Sequence, residues 1–208
     1  MRALRRLRAV ATAAASGERI GVLGGTFDPV HVGHIVAACE VRSALELDRV
    51  LFVVAGDPWQ KRGSVVAPAT ERLALVELAI EGIDGVEASA IEVEREGASV
   101  TADTLEVLRR PGRELFLVLG ADAVANMGTW RRLDDTRELA TVVVIERAGD
   151  TEAAPPGPGW RLERVAIPRL DISSTDLRGR LSDGRSIDGM VPPAVVRRIR
   201  SRGLYTSN

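Results

Sequence analysis

Ile20-Gly21-Val22-Leu23-Gly24-Gly25-Thr26-Phe27-Asp28-Pro29-Val30-His31-Val32-Gly33-His34 is a short apolar run, a glycine turn and the opening of a helix. Glycine lets the backbone approach a ligand closely and reach positive φ, and the first N–H groups of the following helix point at whatever lies in front of them. That arrangement is an anion site. The chain has 2 histidines, and both stand here, three residues apart. One helical turn sets His31 and His34 on a common face, where ring N–H groups can bond phosphoryl oxygens without the cost of a buried full charge. A lone histidine beside an apolar helix is more often a satisfied structural residue, but both histidines of a chain in one phosphate-shaped turn favour the functional reading. The stretch is neither a P-loop, since no Gly-Lys-Ser/Thr follows the glycines, nor the G-x-G-x-x-G dinucleotide fingerprint. A metal pair is weakly supported because His31 and His34 have no obvious third ligand nearby, so no metal ligand is assigned.

Outward from this turn, short apolar runs alternate with helical patterns, the signature of βαβ units around a parallel sheet. Strands are predicted over Ile20–Leu23, Val50–Val54, Glu87–Glu92, Leu115–Leu119, Thr141–Ile145 and Arg161–Ile167. Helices are predicted over His34–Glu46, Thr70–Ile80 and Asp103–Arg109, then Leu177–Leu181 and Ala194–Ser201, the last opened by Pro192-Pro193 and ended by Gly203. The proline- and glycine-rich run at 153–159 reads as an exposed loop between two strands. The expected fold is a three-layer α/β domain, with a parallel central sheet, helices on both faces and the ligand crevice above the strand carboxyl ends.

Three further segments carry chemistry. Ile172-Ser173-Ser174-Thr175-Asp176-Leu177-Arg178 is a second helix N-terminus, dressed with three hydroxyls and an arginine. Such a group can take outer phosphates, although an ordinary helix cap would use the same residue types. Leu119-Gly120-Ala121-Asp122 ends an apolar strand on the edge where open parallel sheets bind ligands, with Asp122 equally able to serve as a helix N-cap. Asp57-Pro58-Trp59-Gln60-Lys61-Arg62 follows the second strand and contains the chain's lone lysine, Lys61, a flexible point charge suited to a triphosphate.

Composition bounds the function. The 208 residues carry 28 Lys+Arg against 29 Asp+Glu, with 45% hydrophobic and 27% charged. At roughly 100–200 residues per domain, that is one ordinary globular domain. A net charge of −1 argues against general nucleic-acid binding. Cys39 has no internal partner for a disulfide, so a cytoplasmic setting is expected. No uncharged apolar run approaches the roughly 18–20 residues that span a bilayer, so no membrane is expected as a partner. Residues 1–17 hold four arginines and no acid. They read as a basic amphipathic arm, a targeting peptide or a loose extension, the last being preferred. The expected division is an extension at 1–18, without fixed structure, and one catalytic domain at 19–208.

The eleven residues Gly24–His34 resemble the GG-T-F-D-P-x-H-x-G-H signature of bacterial nicotinate-mononucleotide adenylyltransferases, within the nucleotidyltransferase superfamily marked by H-x-G-H. Ile172–Arg178 resembles the I-S-S-T-x-I/L-R element of that family, Leu119–Asp122 with Trp130 its G-A/Q-D segment and following tryptophan, and Asp57–Arg62 a P-W-Q-K loop. Val100-Thr101-Ala102-Asp103-Thr104-Leu105 matches Y-T-x-D-T-L except at Val100. The likeness runs from Gly21 to about Tyr205. It departs at Val54-Ala55, where a proline is usual, at Arg147-Ala148-Gly149 in place of R-P-G, and at Arg131, where an aromatic can sit. These departures leave the ATP side intact and touch the pyridine pocket.

The resemblance implies a Rossmann-like nucleotidyltransferase that joins ATP to nicotinate mononucleotide, giving nicotinate adenine dinucleotide and pyrophosphate, with Mg²⁺ riding on the triphosphate. His31, His34, Lys61 and Arg178 would be catalytic. Gly24, Gly25, Thr26, Phe27, Gly33, Gly120, Asp122, Ser173, Ser174 and Thr175 would bind the nucleotide, while Thr101 and Trp130 would contact the nicotinate mononucleotide. The alternatives are a sister transferase acting on another phosphate such as phosphopantetheine, or a non-catalytic nucleotide-binding protein using the basic arm. Sequence leaves open the preference between nicotinate and nicotinamide mononucleotide, and the oligomeric state, a homo-oligomer included.

Overall fold

The computed structural model describes residues 17–61, 63–147 and 153–206. The first sixteen residues of the basic arm, Arg62 and the Ala148-Gly149 departure lie outside them. Six strands form one sheet in the order β3-β2-β1-β4-β5-β6, and every neighbouring pair is parallel. They are β1 (Arg19–Gly25), β2 (Arg49–Val54), β3 (Val86–Ser89), β4 (Glu114–Gly120), β5 (Thr141–Arg147) and β6 (Leu162–Ile167). The helices are α1 (Val32–Ala44), α2 (Ala69–Ile80), α3 (Thr101–Leu108), α4 (Ala121–Ala125), α5 (Leu133–Leu139), α6 (Ser174–Ser182) and α7 (Pro193–Arg202). This is the expected Rossmann-like three-layer domain.

Period-two alternation sorts the side chains between the faces. In β4, Leu115, Leu117 and Leu119 enter one apolar cluster with Leu105 of α3, Val124 of α4 and Met127. Phe116 and Val118 turn to the opposite cluster, built with Ala38 and Val41 of α1, Leu75 and Val76 of α2, Leu177 of α6 and Val195 of α7. A sheet covered on both faces needs apolar residues at nearly every strand position, which is why β2 and β4 read as continuous runs.

The strand order places the site. From β1 the chain builds outward through β2 and β3, then returns to the other side of β1 with β4. The connections after β1 and β4 therefore leave toward opposite faces, and a crevice opens between them at the carboxyl edge.

Several boundaries differ from the sequence reading. α1 begins at Val32 rather than His34, with His31 as N-cap in extended backbone (φ −144°). α4 and α5 were not anticipated: α4 is only 5 residues, and α5 buries only Thr136, so neither shows a clear apolar stripe. Asp122 is not an N-cap, because Gly120 occupies that position. β3 ends at Ser89, not Glu92. Past the strand the chain turns so that the buried Glu92 carboxylate accepts a hydrogen bond of 2.5 Å from the Thr104 hydroxyl. The loop at 153–159 joins β5 to β6 as expected.

That turn presses on the end of β2, where a side chain at Gly56 would bring its Cβ to 2.0 Å from the Glu92 carbonyl oxygen. Backbone cannot rotate away as a side-chain tip can. Gly56→Ala is expected to lower unfolding free energy by about 1–3 kcal/mol. Gly179→Ala, on the exposed face of α6 with nothing within 4 Å of the added Cβ, should instead raise it by about 0.5–1 kcal/mol. Thermal and denaturant unfolding of both variants checks the contrast, and an unchanged midpoint for Gly56→Ala would contradict the close approach.

Candidate active site

β1 delivers the chain to the centre of the carboxyl edge, and residues 24–31 turn it into α1. Phe27 takes a positive φ of 50°, which tucks its ring under the turn at 2% exposure. There it meets Phe52 of β2 at 5.2 Å between ring centroids and the His34 ring at 5.0 Å, nearly edge-on. Gly25 is required by this packing, since an added Cβ would lie 3.0 Å from the Phe27 ring. Gly33 serves His31 in the same way, with the imidazole 3.1 Å from where its Cβ would be.

The two imidazoles stack at 3.7 Å between centroids. The His31 backbone N–H donates to His34 Nδ1 at 3.2 Å, so a neutral His34 carries its proton on Nε2. His31 Nδ1 is buried and has no hydrogen-bond partner, an arrangement that costs on the order of 1–3 kcal/mol until a partner is found. Burial, then the Arg147 charge, lowers the pKa of His31 to about 4. Burial also holds His34 well below the usual histidine range, with further lowering from His31, Arg147 and Lys61. Both rings are thus neutral donors at pH 7. Burial chiefly keeps them neutral, and the positive field of the nearby cations, added to the N-terminal end of α1, attracts an anion.

The hydroxyl-bearing helix arrives at the same turn. Ser173 is the N-cap of α6, and its Oγ accepts the Asp176 N–H at 3.1 Å, which leaves its own O–H free to donate. Ser174 Oγ donates to the Pro29 carbonyl at 2.8 Å. Arg178 donates through Nη1 to the Asp28 carbonyl at 2.7 Å and through Nη2 to Thr175 Oγ1 at 3.4 Å. The three hydroxyls therefore divide their work. Ser174 is a strut between α6 and the β1–α1 turn, whereas Ser173 and Thr175 keep a proton for a ligand.

Beneath the turn lies a buried polar cluster that sequence reasoning left without a role. Asp28, 1% exposed, accepts the Val66 N–H at 2.8 Å, the Ala67 N–H at 3.1 Å and the Tyr205 hydroxyl at 2.8 Å. Arg72 is equally buried and donates to the carbonyls of Ala67, Thr26 and Ala55. It thereby joins the loops after β1 and β2 to the start of α2. Burial lowers the Arg72 pKa, and the neighbouring Asp28 partly restores it.

The remaining expected residues sit on the loops and helix starts that follow the strands. Lys61 ends the turn Trp59–Lys61 and is exposed. Gln60 Nε2 donates to Thr129 Oγ1 at 2.7 Å, and the Arg131 guanidinium lies 4.5 Å from the Trp59 ring centroid, so the loops after β2 and β4 meet. Trp130 packs partly buried against the second apolar cluster. Thr101 opens α3, whose preceding loop is anchored by the Ser99 N–H on the Asp57 carbonyl at 2.9 Å. Gly120 heads α4, with Asp122 exposed in its first turn. Arg132 binds Asp103 and Glu106 of α3 and Asp135 of α5, which locks those two helices together behind the loops. Arg147, which acts on both histidines, matches the arginine of the R-P-G pattern but carries no role in the sequence reading. Its place at the carboxyl end of β5 was the available signal.

The sequence matches the cytidylyltransferase-like family over residues 22–180. A "Probable nicotinate-nucleotide adenylyltransferase" of Roseiflexus sp. (strain RS-1) is 46% identical, covering 91% of this chain and 99% of its own. One so named from Corynebacterium kroppenstedtii is 44% identical, covering 90% of each chain. Among solved structures, Plasmodium falciparum nicotinic acid mononucleotide adenylyltransferase complexed with NaAD superposes with a TM-score of 0.75 at 18% identity, covering 90% of this chain and 97% of that one, a likeness of fold. The chain belongs to the cytidylyltransferase-like nucleotidyltransferases and, within them, to the nicotinate-nucleotide adenylyltransferase family.

Proposed function

We propose that this protein transfers the adenylyl group of ATP to nicotinate mononucleotide in NAD biosynthesis, in the cytoplasm. The observation that carries the proposal is the junction of two helix N-termini: Ser174 and Arg178 of α6 fasten to Pro29 and Asp28 in the turn that presents His31 and His34. Donors from both helices then face one polyphosphate, with charges supplied by Arg178, Lys61 and Arg147.

A phosphate oxygen of the mononucleotide attacks the α-phosphorus in line, a new P–O bond forms, and the bond to the bridging oxygen breaks to release pyrophosphate. No protein nucleophile is needed, because positioning and donors aimed at developing charge supply the acceleration. His31 and His34 stabilise the α-phosphate region and the departing charge. Ser173, Thr175 and Arg178 hold the outer phosphates, with Ser174 keeping their helix in place. Gly24, Gly25, Thr26 and Phe27 shape the turn, Lys61 bridges the phosphates, and Gly120 and Asp122 border the nucleotide. Thr101 and Trp130 meet the nicotinate mononucleotide.

Mg²⁺ is expected to arrive on the triphosphate. Among the described residues no group of three or more His, Cys, Asp or Glu could hold a metal ion, and the Asp28 carboxylate is already occupied by three donors.

The assay is pyrophosphate release from ATP and Mg²⁺ with nicotinate mononucleotide, nicotinamide mononucleotide or phosphopantetheine in turn. Release is expected with the first, and release with phosphopantetheine alone would assign the chain to a sister transferase. His34→Ala should reduce kcat by roughly 10²–10³ while weakening ATP binding far less. Equal losses would make the ring a ground-state anchor only.

The histidines also allow a direct spectroscopic check, because the chain has 2 of them. In the free protein the His31 ring signals are expected to titrate near pH 4, with His34 also below the ordinary range. Added pyrophosphate should raise both midpoints, since a nearby anion favours the imidazolium. A free-protein midpoint near 6.5 for either ring, or no response to the anion, would contradict the proposed pocket.

A further inference from the structure

Tyr205 stands 177 residues from Asp28 in the chain, beyond the end of α7, yet its hydroxyl donates to Asp28 Oδ1 at 2.8 Å in a buried setting. Burial and the Asp28 charge raise the Tyr205 pKa, so the hydroxyl keeps its proton. Arg178 lies 3.9 Å from Asp28 Oδ2, near enough to feel the charge but bonded instead to the Asp28 main-chain carbonyl at 2.7 Å. We infer that Tyr205 is a positioning residue for the phosphate site, satisfying the Asp28 carboxylate so that Arg178 stays on the carbonyl and faces the cleft. The inference rests on the reading above that Arg178 holds the outer phosphates.

Two arginines flank Asp28. Arg72 is fixed, with its guanidinium donating to three carbonyls at 2.6–3.0 Å and 1% of the residue exposed. Arg178 retains 21% side-chain exposure, and its second contact, to Thr175, is long at 3.4 Å. A buried carboxylate that loses a donor draws in the nearest mobile donor, because an unmet charged acceptor costs more than a rearranged side chain. Without the tyrosine hydroxyl, Asp28 Oδ1 keeps only the Ala67 N–H, and Arg178 closes the remaining distance to the carboxylate. The guanidinium then withdraws from the mouth of α6, where the ligand-facing protons of Ser173 and Thr175 lie.

The test is a double-mutant cycle read on ATP binding by calorimetry, on steady-state kinetics and on unfolding. Tyr205→Phe should raise the Kd and KM for ATP roughly tenfold, the scale of one buried hydrogen bond to a charged group, with KM for the second substrate little changed. In an Arg178→Ala background, Tyr205→Phe should add no further loss of ATP affinity, although it still lowers Tm. Asp28→Asn supplies a second background, because without the carboxylate charge Arg178 is no longer drawn inward, and Tyr205→Phe should again add little. The same fold-loss in all backgrounds, or unchanged ATP binding in Tyr205→Phe, would overturn the inference and leave Tyr205 a purely structural residue. If Arg178→Ala itself leaves ATP binding unchanged, the phosphate role of Arg178 falls and the inference with it. ATP binding does not depend on which mononucleotide accepts the adenylyl group, so failure of that assignment is read separately.

Discussion

A carboxylate sunk beneath the turn between β1 and α1 governs the geometry of this protein. Asp28 gathers the segment before α2 through two backbone N–H groups, the segment after α7 through Tyr205 and α6 through Arg178. An ionised group at that depth is tolerable only when donors surround it, and once they do, each is fixed relative to the others. Arg72 repeats the principle with opposite sign, collecting three carbonyls that end or begin different elements. The histidine turn is thus held from below by charge and from the side by Phe27 and Phe52. Such double bracing suits a site whose chemistry depends on aligned donors rather than on a protein nucleophile.

The parallel sheet adds the direction of approach. Because β1 lies between β2 and β4, the loops after all three strands open on one edge. α1 and α6, far apart in sequence, direct their N-termini at the same corner. The neutral state of the two imidazoles follows from this placement, since burial and neighbouring cations both oppose protonation. A nearby anion would reverse the electrostatic part, coupling its charge to the protonation of the rings.

Much of this was legible in the residues themselves. The strands are Val- and Leu-rich runs of the right length, and Gly24–His34 announces a turn into a helix that carries both histidines. What stayed hidden was non-local. Nothing around Tyr205 signals a hydroxyl aimed at Asp28, and nothing in α2 marks Arg72 as buried, since an arginine on a helix ordinarily lies in solvent. β3 ends at Ser89 although apolar residues run on through Ala90 and Ile91, and beyond it the backbone passes close to Gly56. The hydroxyls of 173–175 stand together in the sequence, but sequence alone does not separate the strut, Ser174, from Ser173 and Thr175.

An open parallel sheet has two flanks, and here they are guarded differently. On one side β3 offers only 4 residues, too short a template for a stranger to zip onto. On the other, β6 sets Glu163 and Arg164 side by side, and Arg164 is paired to Glu146 at 2.6 Å, so a docking segment would have to accommodate charge on both sides of the ribbon. Brevity at one margin and ionic clutter at the other are defences against edge-to-edge aggregation, built into a molecule whose richest hydrogen-bonding surface must stay open to nucleotides.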